Sequence, residues 1–419
     1  MKLPQACVQA QTLVATKIAG LATYLSRATG RGSGGMIGGL VAEKIDPDIM
    51  RHLSGERPVA IITGTNGKST TTRMLATALR TRYQVATNDG GDNMDAGIIS
   101  ALLAGTAASH LVLEVDELHV PKVVDRLQPE CLIVLNLSRD QLDRVGEINK
   151  VERALRESVA AHPEMTVIAN CDDVLVSSIG LAAQRVVWVS AGSSWQGDSL
   201  SCPRTGGHIV HEGTHWHAAK PLPDGSTFSR HEPEWSVDPH ALICPDGHKS
   251  LHLSLPGMAN RGNAAQAIAA ATTIFDIPLN EAIAAVETVD DVAGRYSTID
   301  IGSHKVHLLL AKNPAGWQEA MNMVDRSAAG LVIAVNGQVA DGEDLSWLWD
   351  VRFEDFGDVV VKASGERGTD LAVRLTYAEI DHELIHDMLH AVQSCPPGRV
   401  EVLANYTAFR DLKKALLHV

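Results

Sequence analysis

An apolar, β-branched run, Val59-Ala60-Ile61-Ile62, leads into Thr63-Gly64-Thr65-Asn66-Gly67-Lys68-Ser69-Thr70, and helix-spaced apolar residues follow from Thr71 to Leu79. That order predicts strand, loop and helix, and such a junction is an anion site. Glycine lets the backbone close around a phosphate, and the first helical N–H groups point at it. The Lys68 ammonium reaches the outer phosphates and Ser69 offers a hydroxyl to Mg²⁺. The expected ligand is a nucleoside triphosphate, cradled by Gly64, Thr65, Asn66, Gly67, Lys68, Ser69 and Thr70. A glycine turn beside an ordinary surface lysine would not account for the strand and helix on either side. Ile62 stands where the commonest form of this loop has its first glycine, so the loop is a variant one.

With 419 residues the chain exceeds one ordinary core, and two domains with an insertion are expected. No stretch offers eighteen uninterrupted apolar positions, which predicts a soluble chain. The net charge of −14 argues against a general nucleic-acid binder, without excluding a local basic pocket for phosphates. Six cysteines in unrelated contexts, without a secretory apolar core, point to the cytoplasm and to free thiols. From Gln9 to Arg27, Leu13, Val14, Ile18, Leu21 and Leu25 alternate with polar positions as in an amphipathic helix. Its apolar face is expected to pack on the protein itself, a peripheral membrane contact being the alternative.

Arg31-Gly32-Ser33-Gly34-Gly35 breaks the chain before the nucleotide-binding strand. Beyond the loop, strands are expected at 84–87, 110–115, 131–135, 166–169 and 185–189, with helices between them. The alternation predicts a mostly parallel, doubly wound α/β sheet, whose ligands sit at the carboxyl ends of its strands. Three polar motifs fall there: Glu114-Val115-Asp116-Glu117, the run from Asn136 to Arg144, and Asn170-Cys171-Asp172-Asp173. Taken singly, each reads equally as a helix cap or solvated turn. After Asp291 to Tyr296, read as an interdomain link, further strands are expected at 305–310, 330–335, 358–361 and 399–403.

The succession Gly-Thr-Asn-Gly-Lys-Ser-Thr, Glu-Val-Asp-Glu, Asn-Leu-Ser-Arg-Asp-Gln-Leu-Asp-Arg and Leu255-Pro256-Gly257-Met258-Ala259-Asn260-Arg261-Gly262-Asn263-Ala264 resembles the Mur ligase central domain. Arg139 to Arg144, Ala311-Lys312-Asn313-Pro314-Ala315-Gly316 and the segment from Ala340 to Asp350 narrow the resemblance to the MurT group. These are synthetase subunits of lipid II isoglutaminyl synthases, partnered by a GatD-type glutaminase. The resemblance implies a helical segment over 1–50, a Mur ligase ATP-binding domain over 51–290 and a Rossmann-like α/β domain over 291–419. It implies ATP and Mg²⁺, with metal ligation by Ser69 and Glu114, and adenine or ribose contacts from Asn260, Asn263 and Arg295. Mur ligases that add amino acids have His where Gln141 and Ala259 stand here, so a second metal site of their kind is not expected.

The insertion over 193–251, rich in Pro, Gly, Ser and His, lies where MurT proteins often carry a four-cysteine zinc ribbon. Cys202 and Cys244 remain, but Thr205 replaces one partner cysteine and Cys244 lacks its own. Zinc would need two histidines among His208, His211, His215, His217, His231, His240 and His248. The favoured expectation is a degenerate ribbon without metal.

The implied reaction spends ATP to turn a carboxylate, the D-glutamate α-carboxyl of the lipid II stem peptide, into an acyl phosphate. Ammonia then attacks to give D-isoglutamine, with Lys68 and Glu114 serving the phosphoryl transfer. No cysteine here stands in a Gly-x-Cys-x-Gly elbow, so the ammonia is expected from a separate glutaminase subunit. Through the resemblance, Asp344 would complete that glutaminase's catalytic set in trans. Two alternatives are an amino-acid-adding ligase of the Mur or folylpolyglutamate type and a non-enzymatic ATP-binding scaffold.

Overall fold

The structure is a computed structural model; it describes residues 5–28, 36–88, 91–139, 147–192, 195, 197–290, 296–342, 344–356, 359 and 361–418. Arg295, Gln141 with the motif from Asp140 to Arg144, most of the expected interdomain link and Glu343 lie outside the described residues. The chain divides into two compact units: Met1–Leu137, Asn149–Ser193 and Ser199–Asp290, and Ser138–Ile148, Ser194–Asp198 and Asp291–Val419.

The first unit opens with helices α1 (Gln5–Ala28), α2 (Ile37–Ile45) and α3 (Ile49–Ser54). Strands and helices then alternate: β1 (Val59–Thr63), α4 (Lys68–Leu79), β2 (Val85–Thr87), α5 (Asp95–Ala104), β3 (His110–Glu114), α6 (Val120–Leu127), β4 (Cys131–Val134), α7 (Glu147–Ala161), β5 (Thr166–Asn170), α8 (Val174–Gly180) and β6 (Arg185–Ser190). Five strands follow, β7 (Ile209–Glu212), β8 (His215–Ala218), β9 (Trp235–Val237), β10 (Ala241–Cys244) and β11 (Gly247–Ser250), then α9 (Met258–Thr273) and α10 (Leu279–Glu287). The sheet order is β11-β10-β9-β6-β5-β4-β1-β3-β2, parallel from β2 to β9. All five residues of β1 are buried, as a strand covered on both faces requires. The chain winds from β1 to β2 and β3 on one side, then crosses to β4 on the other. The carboxyl end of β1 is therefore the switch point where such sheets open a crevice.

The insertion does not form one separate module. β7 and β8 make a two-stranded hairpin, whereas β9, β10 and β11 join the main sheet, the last two antiparallel. Cys202 belongs to an apolar cluster with Val174, Ile209, Trp216, Ala218 and Phe228, and the Cys244 thiol donates to Gly247 O at 3.1 Å. Among the described residues, no three His, Cys, Asp or Glu side chains gather as a metal site.

Helix α1 packs on the protein, but not by the face its apolar spacing suggested. Ala15 and Ala19 are buried, while Leu13, Val14, Ile18, Leu21 and Leu25 are exposed. Hydrogen bonds set the orientation. Gln11 Nε2 donates to Ile45 O at 2.7 Å, and Thr12 Oγ1 to Asp46 Oδ2 at 2.9 Å. A Cβ on Gly38 would lie 2.4 Å from Thr23 Oγ1, so the two helices approach where only small residues fit.

The second unit contains β12 (Tyr296–Ile301), β13 (His304–Leu310), α11 (Pro314–Met323), β14 (Gly330–Ala334), β15 (Val361–Ser364), α12 (Gly368–Tyr377), β16 (His382–Leu384), α13 (Met388–Gln393), β17 (Gly398–Ala404) and α14 (Tyr406–Leu416). Its sheet runs β12-β13-β17-β14-β15-β16, parallel except for the β12-β13 hairpin. Successive residues alternate between two cores, as strand geometry demands. Leu331 and Ile333 join Trp317, Trp347 and Phe353 on one side, and Val332 and Ala334 join Val402 and Phe409 on the other. The strand expected at 358–361 begins at Val361, and β12, not expected, starts at Tyr296, the last residue read as part of the link.

Candidate active site

The loop after β1 is held by its neighbour across the sheet. Thr65 N–H donates to Asn136 O at 3.0 Å and Asn66 N–H to Asn136 Oδ1 at 2.9 Å, while Asn136 Nδ2 donates back to Asn66 O at 2.9 Å. Gly64 sits at φ +134° and Gly67 at φ +88°, conformations that side-chain-bearing residues rarely adopt. A Cβ on Gly64 would stand 2.9 Å from Asn136 O, and one on Gly67 would stand 2.7 Å from Asn263 Oδ1. Both glycines are needed for close approach as well as for backbone shape.

Helix α4 starts at Lys68, and its first i→i−4 bond runs from Thr71 N–H to Gly67 O at 2.9 Å. The N–H groups of Lys68, Ser69 and Thr70 consequently have no intrahelical acceptor and face the loop's mouth, where a phosphate oxygen can take them. Lys68 Nζ donates to Gly64 O at 2.6 Å and lies 3.5 Å from Glu117 Oε1. The sequence motif thus contributes its cation, with a carboxylate to balance it.

Glu114 ends β3, beside Ile62 of β1 in the parallel register. It is buried, and Asn88 clasps its backbone: Asn88 Nδ2 donates to Glu114 O at 2.7 Å and Glu114 N–H to Asn88 Oδ1 at 2.8 Å. Asn93 Nδ2 donates to Glu114 Oε1 at 3.1 Å, and Oε2 is buried with no hydrogen-bond partner. An ionised oxygen held away from water without a donor is costly unless a cation or donor arrives. That orphaned oxygen fits Mg²⁺, which takes one or two protein oxygens and fills its other positions with water and substrate phosphates. Ser69, in the first turn of α4, is the other protein oxygen that the motif offers.

Helix α9 closes the neighbourhood. Gln266 Nε2 donates to Val134 O at 3.1 Å, and Asn263 rests against Gly67. Asn260 is buried and donates through Nδ2 to Pro256 O at 2.6 Å. The structure therefore brings Asn263 to the phosphate loop with Lys68. Asn136, Asn88, Asn93, Glu117 and Gln266 complete the arrangement. Glu117 and Asn136 fall in the polar motifs read at the strand ends, whereas Asn88, Asn93 and Gln266 carry no signature in sequence, since an amide's role depends on the distant strand or helix it meets. The Asn170 to Asp173 motif is structural: Asp173 caps α8, accepting from Leu175 N–H at 2.8 Å and Val176 N–H at 3.0 Å. Its other oxygen accepts from Leu137 N–H at 2.9 Å.

Asp344 lies on the second unit, exposed, where Oδ1 accepts from Ser346 N–H at 2.8 Å. Bonds from Ser346 hold its carboxyl below the ordinary range, so it is ionised at neutral pH. The neighbouring acids are occupied differently. Both Asp341 oxygens are taken by the backbone N–H and hydroxyl of Thr407, while Asp350 Oδ2 lies 3.4 Å from Arg139. Trp347 is buried against Trp317, ring centroids 5.3 Å apart, and anchors the segment that carries Asp344.

All five described cysteines are buried and unbridged. Burial, with the adjacent Asp172 charge, pushes the Cys171 thiol up to about 12, and burial also pushes Cys131 and Cys395 up. None of these three is a ready thiolate nucleophile. The native protein should react with an aromatic disulfide reagent at no more than one of its six cysteines, and at all six once denatured. Rapid native labelling at Cys171 would contradict the burial.

The Mur ligase middle domain family matches residues 62–271, just over half of the chain, and the MurT ligase C-terminal family matches residues 310–409. The Lipid II isoglutaminyl synthase (glutamine-hydrolyzing) subunit MurT of Staphylococcus aureus (strain COL) is 28% identical, over 96% of this chain and 97% of that protein. The subunit of the same name from Streptococcus pneumoniae is 28% identical over 92% and 93%. Among solved structures, a pseudomurein peptide ligase type C from Methanothermus fervidus superposes with a TM-score of 0.70 at 16% identity, covering 89% of this chain and 80% of that one. MurF from Acinetobacter baumannii gives 0.66 at 17% identity, covering 90% and 80%. The phosphate loop at the sheet's switch point and the two matched domains agree: the chain belongs to the Mur ligase family, with a C-terminal domain of the MurT ligase kind.

Proposed function

We propose that this chain is the synthetase subunit of a glutamine-dependent amidoligase. It would use ATP to convert the D-glutamate α-carboxyl of the lipid II stem peptide to D-isoglutamine. The observation that carries the reading is a complete phosphate loop beside the orphaned Glu114 oxygen, in a chain matching MurT subunits over nearly its whole length. The partner is a GatD-like glutaminase, and because its substrate is lipid-linked, the complex would work at the cytoplasmic face of a membrane.

The loop N–H groups of Lys68, Ser69 and Thr70 would hold the outer phosphates, and the Asn136 bonds keep the loop in that shape. Lys68 neutralises charge on the transferring phosphoryl group as the acceptor carboxylate attacks γ-phosphorus and ADP leaves. Glu114 and Ser69 would hold Mg²⁺, which would offset negative charge on the phosphates. Ammonia then attacks the acyl carbon, phosphate departs, and the amide forms after loss of a proton. Asn260, Asn263 and Arg295 remain the proposed nucleotide contacts on the sugar and base side. Asp344 is the proposed acid that the synthetase lends to its glutaminase.

The test is co-purification with a candidate glutaminase, followed by mass spectrometry of a soluble stem peptide incubated with ATP and glutamine. Replacement of hydroxyl by amino lowers the mass by about one dalton, the chemical signature of carboxyl-to-amide conversion. Addition of a whole amino acid residue by the chain alone would instead identify an amino-acid-adding ligase.

A further inference from the structure

Helix α1 turns its large apolar side chains away from the protein. Leu13, Leu21, Tyr24 and Leu25 are 56, 58, 69 and 52% exposed, and Val14 and Ile18 lie on the same side. At 100° per residue these six span one contiguous face, with Lys17 inside it. The opposite face carries Ala15, Ala19, Thr12 and Thr23. It is committed to α2 and its flank through the Thr12 and Gln11 bonds and the Gly38 approach. Turning the helix to bury the leucines would break those contacts. A contiguous apolar face of this size marks an interaction site.

Charge selects the occupant. The first acidic residue of the chain is Glu43, yet Lys2, Lys17, Arg27 and Arg31 precede it in a protein of net charge −14. Glu43 is paired with Lys122 at 3.2 Å and Arg126 at 3.5 Å, and Asp46 accepts from Thr12 and lies 2.8 Å from His52 Nδ1. An apolar helix face with an embedded lysine, in a segment that is basic within an acidic chain, suits an anionic bilayer surface. The leucines enter the acyl boundary and the lysine reaches back to headgroups. Among the described residues no helix is long and apolar enough to cross a membrane, so α1 would lie on the surface.

We infer that the exposed face of α1 docks the protein onto anionic lipid, bringing the first unit to the membrane that holds its substrate. This rests on the proposed lipid-linked acceptor. Flotation of the full chain with vesicles of equal parts phosphatidylglycerol and phosphatidylcholine should recover it at low salt, and phosphatidylcholine vesicles should recover far less. Leu21→Ala with Leu25→Ala, or Lys17→Glu, should each reduce recovery about tenfold. Circular dichroism and nucleotide binding should stay at wild-type level. The inference is overturned if wild-type protein ignores anionic vesicles, or if the double variant floats equally well. It is also overturned if the face proves to mediate concentration-dependent self-association, removed by the same variants, without lipid binding. No substrate enters this experiment, so its failure leaves amidation of a soluble stem peptide standing, and that reaction can fail independently.

Discussion

Lys68→Ala is expected to lower ATP-dependent amidation by about 100-fold or more, some ~2.7 kcal/mol of lost transition-state stabilisation. The side chain's ammonium lies over the loop, 2.6 Å from Gly64 O, with Glu117 alongside. When an outer phosphate occupies the mouth, the ammonium is the one side-chain cation that the motif supplies to it. Alanine removes that charge and the bond to Gly64 O but leaves the Asn136 bonds that shape the loop, so the variant should fold. Amidation is read by mass spectrometry with glutamine or free ammonium as nitrogen source, and both should fall together. Retention of the wild-type rate by folded Lys68→Ala protein would remove the phosphate-loop assignment. Glu114→Ala should behave similarly, its deficit growing as Mg²⁺ is lowered, because the side chain lost is the one whose Oε2 has no protein donor.

Asp344→Asn should separate the two half-reactions. A glutaminase needs its histidine oriented and its cationic form stabilised, and an acid does both. Asp344 is exposed, ionised and fixed by Ser346 N–H on a segment anchored by buried Trp347, so it can be presented to another protein with little loss of order. Asparagine keeps the shape and removes the charge. Glutamine hydrolysis in the complex should fall by about a thousandfold or more, while ATP binding and complex formation persist and free ammonium still supports amidation. Because Ser346 holds the carboxyl below its ordinary range, acidification should protonate it only below that range, leaving it charged throughout the neutral region. Normal glutamine hydrolysis by an intact mutant complex would make Asp344 a turn residue. Asp350 would then be the better candidate than Asp341, whose oxygens are both committed to Thr407.

What could be read from the sequence was local. β1, the loop and α4 are contiguous, so their apolar run, glycines and helical spacing determine the phosphate cradle among themselves, and Glu114 follows as a carboxylate at a strand exit. The parallel sheet was legible because strand and helix signals alternate at short range. The parts not legible depend on residues brought together from far along the chain. Asn136 grips a loop seventy residues earlier, Asn88 and Asn93 orient Glu114, and Gln266 ties α9 to the end of β4. Nothing near each amide in sequence announces these bonds.

Helix α1 shows the limit most directly. Its spacing correctly marks an amphipathic helix, but amphipathicity alone does not say which face meets the protein. Hydrogen bonds from Gln11 and Thr12 to the end of α2, and the close approach at Gly38, turn the small residues inward and leave the leucines out. The sequence by itself determined the elements and the phosphate-binding chemistry, because these follow from neighbouring residues and backbone stereochemistry. The tertiary structure alone decided which amides support the loop, which oxygen of Glu114 is left for a cation and which face of α1 is exposed. Those outcomes depend on packing between segments that the chain order does not place side by side.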